Sequence, residues 1–128
     1  GVLGKQGTKT FVFTCLETFP SFDGIGKRFE QHGLKEIKPD FWSASGNVVS
    51  GSLNKDRTEC LLTIALTTRD AVMESLTKEL TRIDKNWRLG SHGGTPAALV
   101  SMHAREVVVK IIDVGPEGLI GLMAMPNG

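Results

Sequence analysis

Fifteen Lys and Arg against fourteen Asp and Glu leave a formal charge of +1 over 128 residues, so no global cationic excess drives binding to nucleic-acid phosphates or anionic lipid. The hydrophobic fraction of 40% and the charged fraction of 23% are ordinary for one folded domain of this length, and no apolar run approaches the ~18 residues of a membrane-crossing helix. The strongest local basic group, Lys35, Lys38, Lys55 and Arg57, is interleaved with Glu36, Asp40 and Asp56, and nucleic acid is not an expected partner.

The sequence begins at Gly1 with no Met and no basic-then-apolar leader, as expected of a processed export substrate or of a scar left by tag removal. Residues 1–9, GVLGKQGTK, carry three glycines and no periodicity and predict a flexible lead-in, leaving a single domain over 10–126. Residues 10–18, TFVFTCLET, are rich in β-branched and aromatic side chains and predict a strand with Phe11, Phe13 and Cys15 on one face. Pro20 and Ser21 punctuate the chain, and FDGIGKRFEQHG then places Phe22, Ile25 and Phe29 at helical spacing, with Gly33 as a C-terminal cap. Gly24 and Gly26 inside that helix each cost about 1 kcal/mol against Ala.

Residues 39–54 have Phe41 and Trp42 before a Ser-Gly-Asn cluster and Val48, Val49 and Leu53 after it, which predicts two short strands or one bent strand. NKDR is a polar turn. TECLLTIALT, residues 58–67, is the clearest strand: Cys60, Leu62, Ile64 and Leu66 share one face, and apolar Leu61 and Ala65 on the other mark it as central. Thr67 with Asp70 three residues on matches a capping box, and Val72, Leu76, Leu80 and Ile83 follow at helical spacing. Beyond Trp87, the runs AALVSMH, EVVVKIIDV and LIGLMAM, joined near Ala104-Arg105 and through GPEG, read as an antiparallel meander.

The expected class is therefore α+β: an antiparallel sheet of about six or seven strands with two helices packed on one face. FTCLET and TECLLTIALTT each lead into a helix, with Cys15 and Cys60 forty-five positions apart, which suggests a duplicated β-α-β-β unit. Equivalent positions on neighbouring strands would bring the two cysteines into disulfide range, and a disulfide favours an exported, periplasmic or extracellular setting. Two buried free thiols in a cytoplasmic core are the alternative. Without C-x-x-C spacing and with no histidine near either cysteine, neither a metal site nor redox catalysis is expected.

RLGSHGGTPAALV, residues 88–100, sets a histidine between glycines. A phosphate-binding loop needs glycines leading into a helix and ending in Lys before Ser or Thr; here Gly93, Gly94, Thr95 and Pro96 lead into a β-type run. Ser91 lacks the first glycine of a nucleophile elbow, since Leu89 stands there. Acid–base work by His92 or His103 with Asp113 or Glu106 would need a carboxylate placed against an imidazole, which the spacing does not supply. The stretch is read as a turn.

Trp42 and Trp87 are expected to close equivalent ends of the two repeats by packing. No catalytic residue and no cofactor are assigned. The functional expectation is a small exported module, periplasmic or lipid-tethered, monomeric or homodimeric, that binds a protein or a small ligand, with Ser91, His92, Trp87 and Trp42 as candidate contacts. The competing expectation is a small enzyme or ligand sensor with a pocket near the 88–96 loop.

Overall fold

The computed structural model describes residues 2–115 and 118–128. Its described residues form an α+β fold with helices α1 (Val2–Phe11), α2 (Ile25–Gln31) and α3 (Arg69–Ile83). The strands are β1 (Lys35–Lys38), β2 (Phe41–Ser43), β3 (Val49–Leu53), β4 (Cys60–Ile64), β5 (Arg88–His92), β6 (Thr95–Met102), β7 (Arg105–Asp113) and β8 (Ile120–Pro126). All pairings are antiparallel, in the order β1-β2-β3-β4-β8-β7-β6-β5. Two four-strand meanders thus lie side by side and join where β4 pairs with β8, through Cys60↔Ala124, Leu62↔Leu122 and Ile64↔Ile120. These six side chains are buried, and they put the centre of the core at the seam, as the alternation of β4 led one to expect.

Residues 2–16 depart from expectation. The chain is neither a lead-in nor a strand there: α1 runs straight into a π-helical turn, Val12–Leu16. Phe11, Val12, Cys15, Leu16 and Phe19 are all buried, and their spacings of four are helical. Tertiary packing overrides the local β preference of TFVFT. The glycines explain why this helix fits so low on the sheet. A Cβ at Gly7 would stand 2.5 Å from the Ile64 side chain, and one at Gly4 would stand 2.7 Å from Thr67 Oγ1.

Cys15 and Cys60 are joined by a disulfide with a Cα–Cα distance of 5.6 Å. It ties the π-helical turn to β4 rather than one strand to another. The two cysteines therefore do not occupy equivalent places, and the expected β-α-β-β duplication is absent from the described residues. What recurs is a helix followed by a four-strand meander, α2 with β1–β4 and α3 with β5–β8. The sheet has eight strands rather than six or seven: the expected strand over residues 10–18 is helical, whereas β1, whose KEIK pattern is solvent-facing throughout, and β5, inside the stretch read as a turn, were not expected as strands.

Smaller differences have local causes. The N-cap of α3 is Thr68, whose Oγ1 accepts from Ala71 N at 3.2 Å, one residue later than the Thr67–Asp70 box. β4 ends at Ile64, so Leu66 leaves the core face with φ +57° and is exposed. The NKDR turn is held as expected, Asn54 Oδ1 accepting from the backbone N–H groups of Thr58 and Glu59. Of the GPEG connection, Pro116 and Glu117 lie outside the described residues. No helix among the described residues is long and apolar enough to cross a membrane.

The face of the β5–β8 meander that carries no helix has its own small cluster, Ala97, Leu99, Val108 and Met125. Long polar side chains lie over it: Arg88 pairs with Glu106 at 3.2 Å, and Lys110 Nζ donates to His92 O at 2.9 Å and to Thr95 Oγ1 at 2.8 Å. Their aliphatic stems shield the apolar residues beneath.

Candidate functional site

The connection from α3 to β5 is built around Asp84. Its carboxylate accepts from Asn86 N at 3.0 Å and from Ser101 N at 2.9 Å, which fastens the loop to β6 where β5 has not yet begun. Trp87 follows, its N–H donating to Asp84 O at 3.0 Å and its indole Nε1 to Thr81 Oγ1 at 2.9 Å. The indole is thereby fixed between the end of α3 and the start of β5.

SHGG is a turn. β5 and β6 form a two-residue hairpin in which Gly93 and Gly94 have φ of +60° and +80°, as a type I′ turn demands at both positions. The next hairpin makes the same positive-φ turn with His103 and Ala104, at some steric cost. With His92↔Thr95 closing the first hairpin, the paired residues Arg88, Gly90 and His92 bond to β6. The N–H and C=O groups of Leu89 and Ser91 then point the other way, to the free side of the sheet. Pro96 sits opposite Ser91 and has no N–H to offer β7, consistent with the β6–β7 ladder ending at Ala98↔Val109.

Leu89 faces α3, and between the two lies a cleft of about 80 Å³ lined by Met73, Leu76, Thr77, Trp87, Leu89 and Ile111 among others. Its walls are mostly apolar. Leu89 and Met73, at its mouth, are 74% and 44% exposed, an unusual pairing of large apolar side chains on one rim. The one charged side chain in its lining is Arg69, which donates to Ile111 O at 3.1 Å and stands 3.9 Å from Asp113.

The four candidate contact residues are not gathered in one place. Trp87 lines this cleft, and Ser91 lies on the same strand, exposed. His92 is on the same strand but projects to the opposite face of the sheet, half-buried, with Nδ1 lacking a hydrogen-bond partner. Trp42 belongs to the other meander, buried and stacked on Phe29 with ring centroids 4.8 Å apart; it sits in β2, so it is not the counterpart of Trp87. The carboxylates considered as partners for a histidine are engaged elsewhere: Glu106 with Arg88 and Asn127, and Asp113 with Arg69. His103 Nε2 meets the Glu17 carbonyl at 3.0 Å.

Among the described residues no three His, Cys, Asp or Glu side chains converge where a metal ion could sit. Sequence reasoning missed Leu89, Met73, Thr77 and Arg69. The available signal was Leu89, an apolar residue two positions after Trp87 and flanked by Arg88 and Gly90. Compared with protein-family models, with curated proteins and with solved structures, the chain matches none.

Proposed function

We propose that the chain is a small exported module, periplasmic or lipid-tethered, that acts by binding a protein or small ligand rather than by catalysis, and that the cleft between α3 and β5 is its contact surface. The observation that carries this reading is the cleft's mostly apolar lining, which sets it apart from larger and more polar clefts such as the one of about 400 Å³ along Thr67, Thr68, Arg69 and Asp113. Pockets that hold cofactors and substrates usually enclose ~300 to 1,000 Å³ with a few converging polar groups. A cleft of about 80 Å³ walled by Met73, Trp87, Leu89 and Ile111 has room for one aliphatic side chain. The Cys15–Cys60 disulfide supports an oxidising compartment.

Site-specific photo-crosslinking in the native host tests the reading. A benzophenone amino acid in place of Leu89 is expected to give a discrete, light-dependent adduct, and the same probe in place of Ile37, which is 66% exposed on β1, is expected to give none. No adduct at either position, or the same adducts at both, would contradict it. The alternative, a small enzyme or sensor, draws on the half-buried His92 with its unpartnered Nδ1. It predicts that His92→Ala removes a ligand response without lowering the melting temperature.

A further inference from the structure

The two ends of the sheet are not alike. β1 carries two lysines and an acid, its register against β2 slips between Glu36 and Lys38, and Pro39 follows at once. Lysines, a bulge and a proline are the devices by which proteins stop an edge strand from recruiting another. β5, at the opposite edge, has none of them. It is RLGSH in unbroken register, with the N–H and C=O of Leu89 and Ser91 unclaimed by any strand among the described residues and the apolar cleft directly beside it.

We infer that β5 accepts an extended segment of a partner protein as a ninth strand, with an apolar side chain of that segment entering the α3–β5 cleft and acidic residues alternating with it. This rests on the binding reading above and names its partner. The residues of a strand that lie opposite Leu89 and Ser91 share their face and point toward α3, where Leu89, Met73 and Trp87 favour an aliphatic side chain. The alternate residues fall beside Arg88 and His92 on the other face. Arg88 remains 63% exposed despite its contact with Glu106, and β5 itself holds no carboxylate, so this flank complements a negative charge.

The same features disfavour a second copy of the chain. An antiparallel β5–β5 pairing would set Arg88 against His92 twice. It would also join two folded bodies along a strip about 17 Å long and ~10 Å thick, roughly 170 Å² a side, where a stable interface needs ~800 Å² from each partner. A flexible segment wraps the strip and the cleft together, as in other strand-addition complexes.

The test uses the oxidised full chain and a fluorescein-labelled heptapeptide, Asp-Leu-Asp-Leu-Asp-Leu-Asp, followed by fluorescence anisotropy. A block peptide of the same composition, Leu-Leu-Leu-Asp-Asp-Asp-Asp, is the control. The alternating peptide is expected to bind about tenfold tighter than the block peptide, and Ser91→Pro to weaken it by about tenfold or more, since it removes a free edge N–H and sets a ring in the partner's path. The Ser91 N–H takes no part in the β5–β6 ladder, so the variant's melting temperature and circular dichroism should match the parent and separate lost binding from lost folding.

Equal binding of the two peptides, no binding of either, or full binding by Ser91→Pro would overturn the inference. So would sedimentation as a dimer that Ser91→Pro returns to monomer, which would make the occupant a second copy. A crosslink from position 89 with no peptide binding would reject strand addition while leaving the binding reading intact; no crosslink would reject the binding reading itself.

Discussion

Reduction of the Cys15–Cys60 disulfide is the perturbation whose size follows most directly from the fold. The bridge spans 45 positions, and closing a loop of that length in the unfolded chain contributes about 4 kcal/mol in the chain-entropy treatment. Both cysteines are fully buried, so reductant reaches the bond through unfolding, and native packing around two thiols changes little. Urea denaturation of oxidised and fully reduced protein, followed by tryptophan fluorescence, reads the difference. With a slope of ~1–3 kcal/mol per molar urea for small proteins, the midpoint should fall by roughly 1.3–4 M. Alkylation in denaturant should modify no cysteine before reduction and two after it. Coincident midpoints would refute the reasoning, because the π-helical turn would then be held on β4 as firmly without the covalent tie.

Four substitutions probe packing and capping. Gly51→Ala places a Cβ against the ring of Phe29, itself buried and stacked on Trp42; it should cost ~1–3 kcal/mol in urea titration and alter near-ultraviolet circular dichroism. Leu62→Ala empties the seam opposite Leu122 and should cost ~2–5 kcal/mol by the same titration. Thr68→Ala should cost about 1 kcal/mol through loss of the cap to Ala71 N. Thr67→Val removes a buried hydroxyl that has no partner among the described residues and should leave the urea midpoint unchanged or raise it. The opposite order for these two threonines would place the cap one residue earlier.

The parts of the fold legible in the sequence are those where local pattern and tertiary demand agree. β4 alternates strictly because one face meets the core, α3 keeps its apolar stripe because Val72, Leu76 and Leu80 all pack inward, and the β6–β7–β8 meander is marked by long β-branched runs. Disagreement begins at the N-terminus. There Phe13 and the β-branched residues suggest a strand, yet Phe11, Cys15 and Phe19 bury one helical face, and Phe13 is covered outside the core by His32, stacked at 4.8 Å, and by Arg28 at 4.6 Å. Gly4 and Gly7, which look like flexibility, are spacers for close packing.

The matching sequence contexts of Cys15 and Cys60 suggest a pairing of equivalent strands that the fold does not contain. The disulfide forms all the same, because a helix turn laid on the sheet brings Cα atoms as near as neighbouring strands would. At the candidate site, Trp87 and Ser91 are legible as neighbours because only three residues lie between them. The cleft itself was not, since Met73 and Leu89 meet only once α3 has folded over β5, and His92 falls on the other face by strand alternation.

Amide hydrogen exchange along β5, resolved residue by residue by nuclear magnetic resonance on the oxidised protein, tests most directly whether this strand is an open, ligand-ready edge. Leu89 and Ser91 N–H groups should exchange at rates near those of an unstructured chain, while Gly90 and His92, bonded to β6, exchange far more slowly. Uniform protection across the four would mean that the edge is already covered, and the account of β5 as the contact surface would be wrong.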